Sequence, residues 1–471
     1  MAKPLLKSSS DYSAKHKLHA GFDQPDCSKC LAADVMIRIL VSARMLHAPR
    51  LHYTLDVLFK RMLGLNCSLL AAHLPQGKDT QILISYGPQA HPKADLHIPE
   101  EGLLSEKGVR PRQIQTAQWR GHTILFPQKK QSENSLPFDL FAAAFFLLSR
   151  YEEYLPFQAD EHARFPLSAA ALHGTSYPQK PLIHYWMKAL LEVLRSKHPL
   201  LKPRLPAYSF RPSYDTDLPW CLINKRPLQA LGGSLRDLLK KGPKALLKRY
   251  RIWRKPETDP CFTFPFLQKT HKKLNLHPIY FAPTSNYGRY DKAPSHQNPA
   301  YRKLLKQLAK EGEIGLHPSY KTLENPRLLT KEKQRLEEII NGPVTQSRQH
   351  YLRFRFPQTP RQLLEAGIKH DYSLGFAERP GFRTACCIPV PWYDIEEEKQ
   401  TSLTLHALPL MDVSLLQYLQ LNAEERERIF GQIFEEIKKF GGEFIPLWHN
   451  NNLTTNKNQE EYESLLHLAS V

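Results

Sequence analysis

A chain of 471 residues with 41% hydrophobic and 24% charged residues has a globular composition and exceeds one ordinary core, which suggests two domains. Lys and Arg outnumber Asp and Glu by 65 to 46, a formal charge of +19, so something acidic is attracted: nucleic acid, anionic lipid or an acidic glycan. No window approaches the roughly 20 apolar residues of a membrane span, and no Gly-rich phosphate loop or nucleic-acid recognition signature is found.

The first 34 residues begin "MAKPLLKSSSDYSAKHK", which lacks the apolar core of a secretory signal and reads as a polar leader. Within it, Cys27 and Cys30 in "CSKC" follow His16 and His19, half of a zinc site with no second Cys pair at finger spacing; unrelated thiols are the plainer reading. Seven scattered cysteines form no disulfide framework, so a reducing, cytoplasmic setting is the default, and the adjacent Cys386 and Cys387 read as part of a buried segment.

Residues 35–200 form a first unit. "DVMIRILVSARM" and "QILISYG" read as strands; "HYTLDVLFKRML", "PFDLFAAAFFLLSRYEEYL" and "KPLIHYWMKALLEVLRSKHP" read as helices. The second helix is apolar on most of its circumference and is therefore buried. A proline-rich stretch, "PLLKPRLPAYSFRPS", leads out of this unit as a linker or extended entry strand.

Residues 207–471 alternate short apolar runs with helical patterns. "HPIYFA", "EIGLHP", "SRQHYLRF", "DYSLGF" and "EFIPLWHN" are separated by the helices "NPAYRKLLKQLAKEG", "KEKQRLEEIING", "TPRQLLEAGI" and "AEERERIFGQIFEEIKKFGG", with an irregular stretch before the last helix. Such alternation predicts a parallel sheet covered by helices, closed as a barrel or left open. Asp215 with Asp217, His317, Arg348 with His350, and His449 each stand at a predicted strand end. In such sheets the C-terminal strand ends converge on one face, where sites form. Two carboxylates one residue apart, in "RPSYDTDLPW", repel each other unless a cation or proton lies between them.

These motifs together resemble the polysaccharide deacetylases that share the NodB homology domain, carbohydrate esterase family four. "SYDTD", "EIGLHPSY", "SRQHYLRF" followed by "AGIKHDYS", and "EFIPLWHN" fall in that family's order. "LPFDLFAAAFFLLSRYEEYLPF" with "DEHARFP" looks like the N-terminal domain that precedes this module in proteins of Bacteroidetes type. The resemblance implies an α/β fold: a distorted (β/α) barrel of about seven strands behind a smaller α/β or α+β domain. It also implies removal of an acetyl group from an N-acetylated sugar with a divalent metal, usually zinc. Asp215 would then be the general base, Asp217 and His317 metal ligands, Arg348 the group that orients the base, Tyr351 the source of an oxyanion-stabilising backbone N–H, and His449 the acid for the leaving amine.

Two departures bear on this. Lys321 stands where the family has a second histidine, and Gln349 and His350 replace a Pro-Pro pair. Either His350 completes the metal shell, or the metal is held weakly, or the site has become a glycan-binding module. Tyr287, within "SNYGRYD", and Tyr320 and Trp448, within the motifs, are expected to face the sugar; a plain loop is the competing reading for the first. Residues 234–255 carry nine Lys or Arg against one Asp, interleaved with leucines and Trp253. That is the pattern of an interfacial helix, here for an anionic membrane at the cytoplasmic face, or of a solvated helix packed on the barrel rim.

Overall fold

The computed structural model describes residues 36–72, 81–129, 132–224 and 242–470, with 232, 234, 235, 238 and 239 between them. The leader, with its CSKC pair, lies outside the described residues. Residues Val35–Val471 form one compact unit.

Four parallel strands open it: β1 (Met36–Val41), β2 (Cys67–Ala71), β3 (Gln81–Gly87) and β4 (Leu96–Pro99), in the order β2-β1-β3-β4. Helix α1 (Pro49–Leu55) continues as a π-helical turn through Arg61, and β5 (Thr116–Trp119) pairs antiparallel with β6 (His122–Leu125). Helix α2 (Leu140–Leu148) starts where Asp139 accepts the Ala142 N–H, and each of its nine residues is buried. The helix thus ends about two turns earlier than the sequence predicts, because Arg150 turns left-handed at φ +55° and carries Glu152 and Glu153 into a buried ion network. Helix α3 (Leu182–Lys197) buries the stripe containing Ile183, Trp186, Leu190 and Leu194.

The second sheet has eight strands. Seven run parallel, in the order β14-β12-β11-β10-β9-β8-β16, and β13 adds antiparallel to β14 at the edge. They are β8 (Ser213–Asp215), β9 (Ile279–Ala282), β10 (Glu313–Leu316), β11 (Gln346–Ser347), β12 (His370–Leu374), β13 (Val390–Asp394), β14 (Lys399–Ala407) and β16 (Leu447–His449). Two short strands, β7 (Ser209–Phe210) and β15 (Glu443–Phe444), pair beside them. The free edge at β16 is tied back by the stretch after β14: the Leu408 N–H bonds to the Leu374 carbonyl, and the Leu447 N–H to that of Leu410. Gly375 is required at this closure, since a Cβ there would stand 2.5 Å from the Leu408 carbonyl oxygen.

The stretch read as irregular before the last long helix therefore holds the β13–β14 hairpin. The alternation of β13 is masked because each of its five residues is buried, so both of its faces are covered. The helices around the sheet are α4 (Pro243–Arg254), α5 (Phe264–Leu274), α6 (Pro299–Glu311), α7 (Pro326–Ile340), α8 (Gln358–Glu365), α9 (Ala423–Phe440) and α10 (Asn456–Ser470). Three have Pro at the first or second position after a polar cap residue, and α9 opens with a capping box of Asn422 and Glu425. Among the described residues no helix is long and apolar enough to cross a membrane.

One cysteine expectation is corrected. Cys221 and Cys261 are disulfide-bonded, with Cα atoms 5.5 Å apart, a pairing across 40 residues that no local spacing reveals. Asp259, close to both sulfurs, accepts the N–H groups of Cys221, Leu222, Ile223 and Cys261, so its carboxylate is already satisfied. Cys386 and Cys387 are free and buried.

Candidate metal centre

The C-terminal ends of β8, β10, β11 and β16 bring Asp215, His317, Arg348, His350 and His449 to one place, and the residue two beyond Asp215 brings Asp217. Arg348, fully buried, donates from Nη1 to Asp215 Oδ1 at 3.1 Å, from Nη2 to Ser213 Oγ at 2.8 Å and from Nε to the Tyr372 carbonyl at 3.1 Å. The Phe281 ring lies 4.2 Å below its guanidinium. Arg348 therefore has one position, and it holds Asp215 in one orientation.

His317 donates from Nδ1 to the Arg348 carbonyl at 2.6 Å. A carbonyl can only accept, so the proton is on Nδ1 and the Nε2 lone pair is left facing the carboxylates. Nε2 lies 3.3 Å from Asp217 Oδ1 and 3.5 Å from Asp215 Oδ2. His350 is held likewise: Asp291 accepts from its Nδ1 at 3.0 Å, and its Nε2 faces Asp217 Oδ2 at 3.5 Å. The His317 and His350 ring centres are 4.8 Å apart.

The ligand atoms of Asp217, His317 and His350 all lie within 4.8 Å of one another. In a tetrahedral shell with zinc–nitrogen bonds of about 2.0–2.1 Å, neighbouring ligand atoms stand about 3.3 Å apart, close to the contacts observed. Asp217 Oδ1 and His317 Nε2 are buried and have no hydrogen-bond partner among the described residues. Unpaired buried polar atoms are costly, and a cation between them removes the cost. The donor set fits a divalent ion of the zinc type, with Asp291 and the Arg348 carbonyl as the outer partners that orient the two imidazoles.

The electrostatics agree. Burial pushes the His317 imidazole below its ordinary value, toward the neutral ligand form. Burial alone would raise the Asp217 carboxyl, but His350 and His317 hold it well below the usual range. Burial also opposes charge on His350, yet Asp217 and Asp291 override it and hold the imidazole up at about 10; a cation bound there would displace that proton.

His449 points its Nε2 toward Asp217 Oδ2 at 3.8 Å and Asp215 Oδ2 at 4.0 Å. Its Nδ1 donates to Asp412 Oδ1 and its backbone N–H to Asp412 Oδ2, both at 2.7 Å. Burial lowers its pKa, but Asp412 first, then Asp215 and Asp217, bring it up to about 9. Nothing local in the sequence marks Asp412 or Asp291 as a partner of these histidines. Asp412 follows β14 within the stretch that reads as irregular, whereas Asp291 closes the "SNYGRYD" loop, which is expected to face the sugar through Tyr287.

Around this centre is a pocket of 590 Å³. Its wall includes Tyr351, whose backbone is left-handed at φ +60° beside His350. Lys321 is exposed on a 3-10 turn. Of the three aromatic residues expected to face a sugar, none lines the pocket. Trp448 is buried against Tyr462, with ring centres 4.6 Å apart: side chains alternate along a strand, so His449 facing the site turns Trp448 away. Tyr320 stands one layer back, stacked on the lining residue Tyr290 at 4.0 Å. Tyr287 is partly exposed and receives a hydrogen bond from Lys292, which does line the pocket.

A model for a family of unknown function, DUF7033, matches residues 39–199. No curated protein matches. Among solved structures, a protein described as a polysaccharide deacetylase from Mycobacterium smegmatis overlaps 58% of this chain and 87% of its own, at 13% identity and a TM-score of 0.38. A family 4 carbohydrate esterase from Streptomyces lividans, in complex with acetate, overlaps 56% and 90% at 10% identity and a TM-score of 0.27. A CE4 family pseudoenzyme from Bacillus anthracis overlaps 56% and 61% at 9% identity and the same TM-score of 0.27. Overlaps this partial leave the reaction to be read from the residues themselves.

Proposed function

We propose that this protein is a metal-dependent hydrolase that removes an acetyl group from the nitrogen of an N-acetylated sugar. The observation that carries the reading is the convergence of Asp217, His317 and His350 on one point, with two of their buried atoms unpartnered, directly beside the Arg348–Asp215 pair. Those three side chains would hold the ion, zinc by its donor set, and when bound it would polarise a carbonyl and acidify water.

The rest of the task falls to the chain. Asp215, fixed by Arg348, would accept a proton from the attacking water. His449, fixed by Asp412 and held up at about 9 by Asp412, Asp215 and Asp217, would deliver a proton to the departing amine. Tyr351 would contribute its backbone N–H toward the developing oxyanion. An acetamido group is neutral, and the pocket offers it one concave, partly apolar wall from Leu218, Leu352, Met411 and Leu447.

The test uses N-acetylglucosamine and its β-1,4-linked oligomers. Asp215→Asn is expected to release no acetate while retaining metal by elemental analysis, and Asp217→Asn to lose both. Near-parental turnover by Asp215→Asn overturns the assignment. Parent protein that binds these sugars and metal but releases no acetate would instead identify a glycan-binding module.

A further inference from the structure

The pocket has a wall that does not come from the eight-stranded sheet. Glu161, His162 and Arg164, from the stretch "DEHARFP" within the part matched by the family of unknown function, line it together with Tyr290, Lys292 and Tyr418. This loop is built rather than draped. Asp160 accepts the N–H groups of His162 and Arg164 and the Arg164 Nε, and Ala163 turns left-handed at φ +59°.

The larger sheet then grips the loop. Arg164 donates to the Tyr351 carbonyl at 3.1 Å and to the Tyr418 hydroxyl at 3.0 Å, while Arg353 donates to the His162 carbonyl at 2.8 Å. The His162 ring lies edge-on or tilted to Tyr290, Tyr320 and Tyr351 at 5.8, 5.8 and 4.7 Å. Tyr351 sits between it and the metal centre, 4.8 Å from His350.

We infer that residues 160–164 form a second subsite, holding the sugar next to the one that is deacetylated. The inference rests on the proposed function for its reading of the first subsite. Ring faces beside a histidine, an exposed carboxylate, an ammonium group and the amides of Gln417, Asn451 and Asn452 suit a neutral saccharide, which offers apolar ring faces and hydroxyls of both hydrogen-bonding senses. A volume of 590 Å³ falls inside the range of about 300–1,000 Å³ for pockets that bury a drug-sized ligand, so it has room beyond one sugar ring.

Calorimetric titration and acetate release with N-acetylglucosamine and its β-1,4 dimer test this. His162→Ala and, independently, Tyr290→Leu are expected to raise KM and Kd for the dimer about tenfold, more than for the monosaccharide, with a smaller change in kcat. Unchanged melting temperatures are checked first, with Tyr290→Leu serving if His162→Ala fails to fold. Equal effects on both sugars, or no preference for the dimer in the parent protein, overturn the subsite. Dimer binding that these variants weaken, without any acetate release by the parent, leaves the subsite standing and overturns only the catalytic reading.

A separate surface carries a second proposal. Helix α4 contains five Lys or Arg residues and no acid, and within it only Ile252 is buried. Leu247, Tyr250 and Trp253 are 58%, 56% and 67% exposed, spaced three residues apart so that they share a face. Lys244, Lys248, Arg251 and Arg254 are exposed around them. Nucleic acid would satisfy the charges but leaves an exposed leucine unburied; an anionic bilayer takes both, the aromatic rings at the headgroup level and the charges at the lipid phosphates.

We propose that α4 docks the protein on anionic membrane. Full-length protein is sedimented with phosphatidylglycerol–phosphatidylcholine vesicles and with phosphatidylcholine alone. Binding is expected only to the anionic vesicles, to fall with salt, and to weaken about fivefold for each of Lys248, Arg251 and Arg254 changed to Gln. Leu247→Ser with Trp253→Ser should weaken it further. Parental binding by these variants, indifference to lipid charge, or tighter binding to duplex DNA than to vesicles overturns the proposal.

Discussion

At the scale of single residues, the centre depends on groups that touch no substrate. Asp412 accepts three hydrogen bonds from His449 and Asn452, so it fixes the tautomer and direction of His449 while remaining one step removed from the chemistry. Asp412→Asn is expected to lower kcat by no more than the roughly 10²–10⁴ that a general acid supplies, with KM little changed. Combining it with His449→Ala should cost no more than His449→Ala alone, because both changes remove one function. Additive losses measured by steady-state kinetics would assign Asp412 a separate role. The acidic pair in "SYDTD" was legible as a site because like charges at that spacing need a counter-charge. His350 was legible only as one alternative: its distance from His317 depends on how two strand ends are laid side by side.

Between elements, the most consequential contact is a buried ion network joining the end of α2 to the loop before β13. Glu153 accepts from Arg150 Nε at 2.7 Å and from Arg383 Nε at 2.9 Å, and a second Arg383–Glu153 contact completes the pair. Both Glu153 and Arg383 side chains are 1% exposed. Burial raises the Glu153 carboxyl, and the two arginines override it, so the residue stays ionised and dependent on them. Arg383→Met leaves one of those partners and is expected to destabilise the protein by about 3–5 kcal/mol, read from urea denaturation, because breaking a buried pair strands a charge. A loss under 1 kcal/mol would mean that water or Arg150 compensates. In sequence, "SRYEEYL" reads as the tail of a buried, mostly apolar helix; its acidic residues have a purpose that only the partner, 230 residues away, explains. The helices α6, α7 and α9, by contrast, follow their 3.6-residue patterns, since each buries one stripe.

For the whole molecule, one contribution to acid stability lies where α3 meets the segment before β13. His184 of α3 is buried, accepts the Cys387 N–H at 3.2 Å, and is pushed down to about 3 by that burial. A histidine with a lowered folded value binds fewer protons than the unfolded chain, so its contribution is present above the unfolded value near 6.5 and is lost as pH falls from there toward 3. The loss approaches about 1.4 kcal/mol per pH unit within that window. His184→Gln should flatten the stability profile between pH 6 and about 4; an unchanged slope in denaturation at a series of pH values would exclude His184 as its source. Sequence alone determined the parallel α/β character, the amphipathic helices and the candidacy of Asp215, Asp217, His317, Arg348, His350 and His449, because periodicity and strand ends are local properties of the chain. Tertiary structure decided that His350 stands with His317 and Asp217, that Asp412 and Asp291 hold the histidines, that Trp448 faces the core, that Cys221 meets Cys261, and that residues 160–164 reach the pocket. Except for Trp448, which strand alternation turns away once His449 faces the site, each of these is a contact between segments separated in sequence and set by how the strands are ordered, which local spacing does not encode.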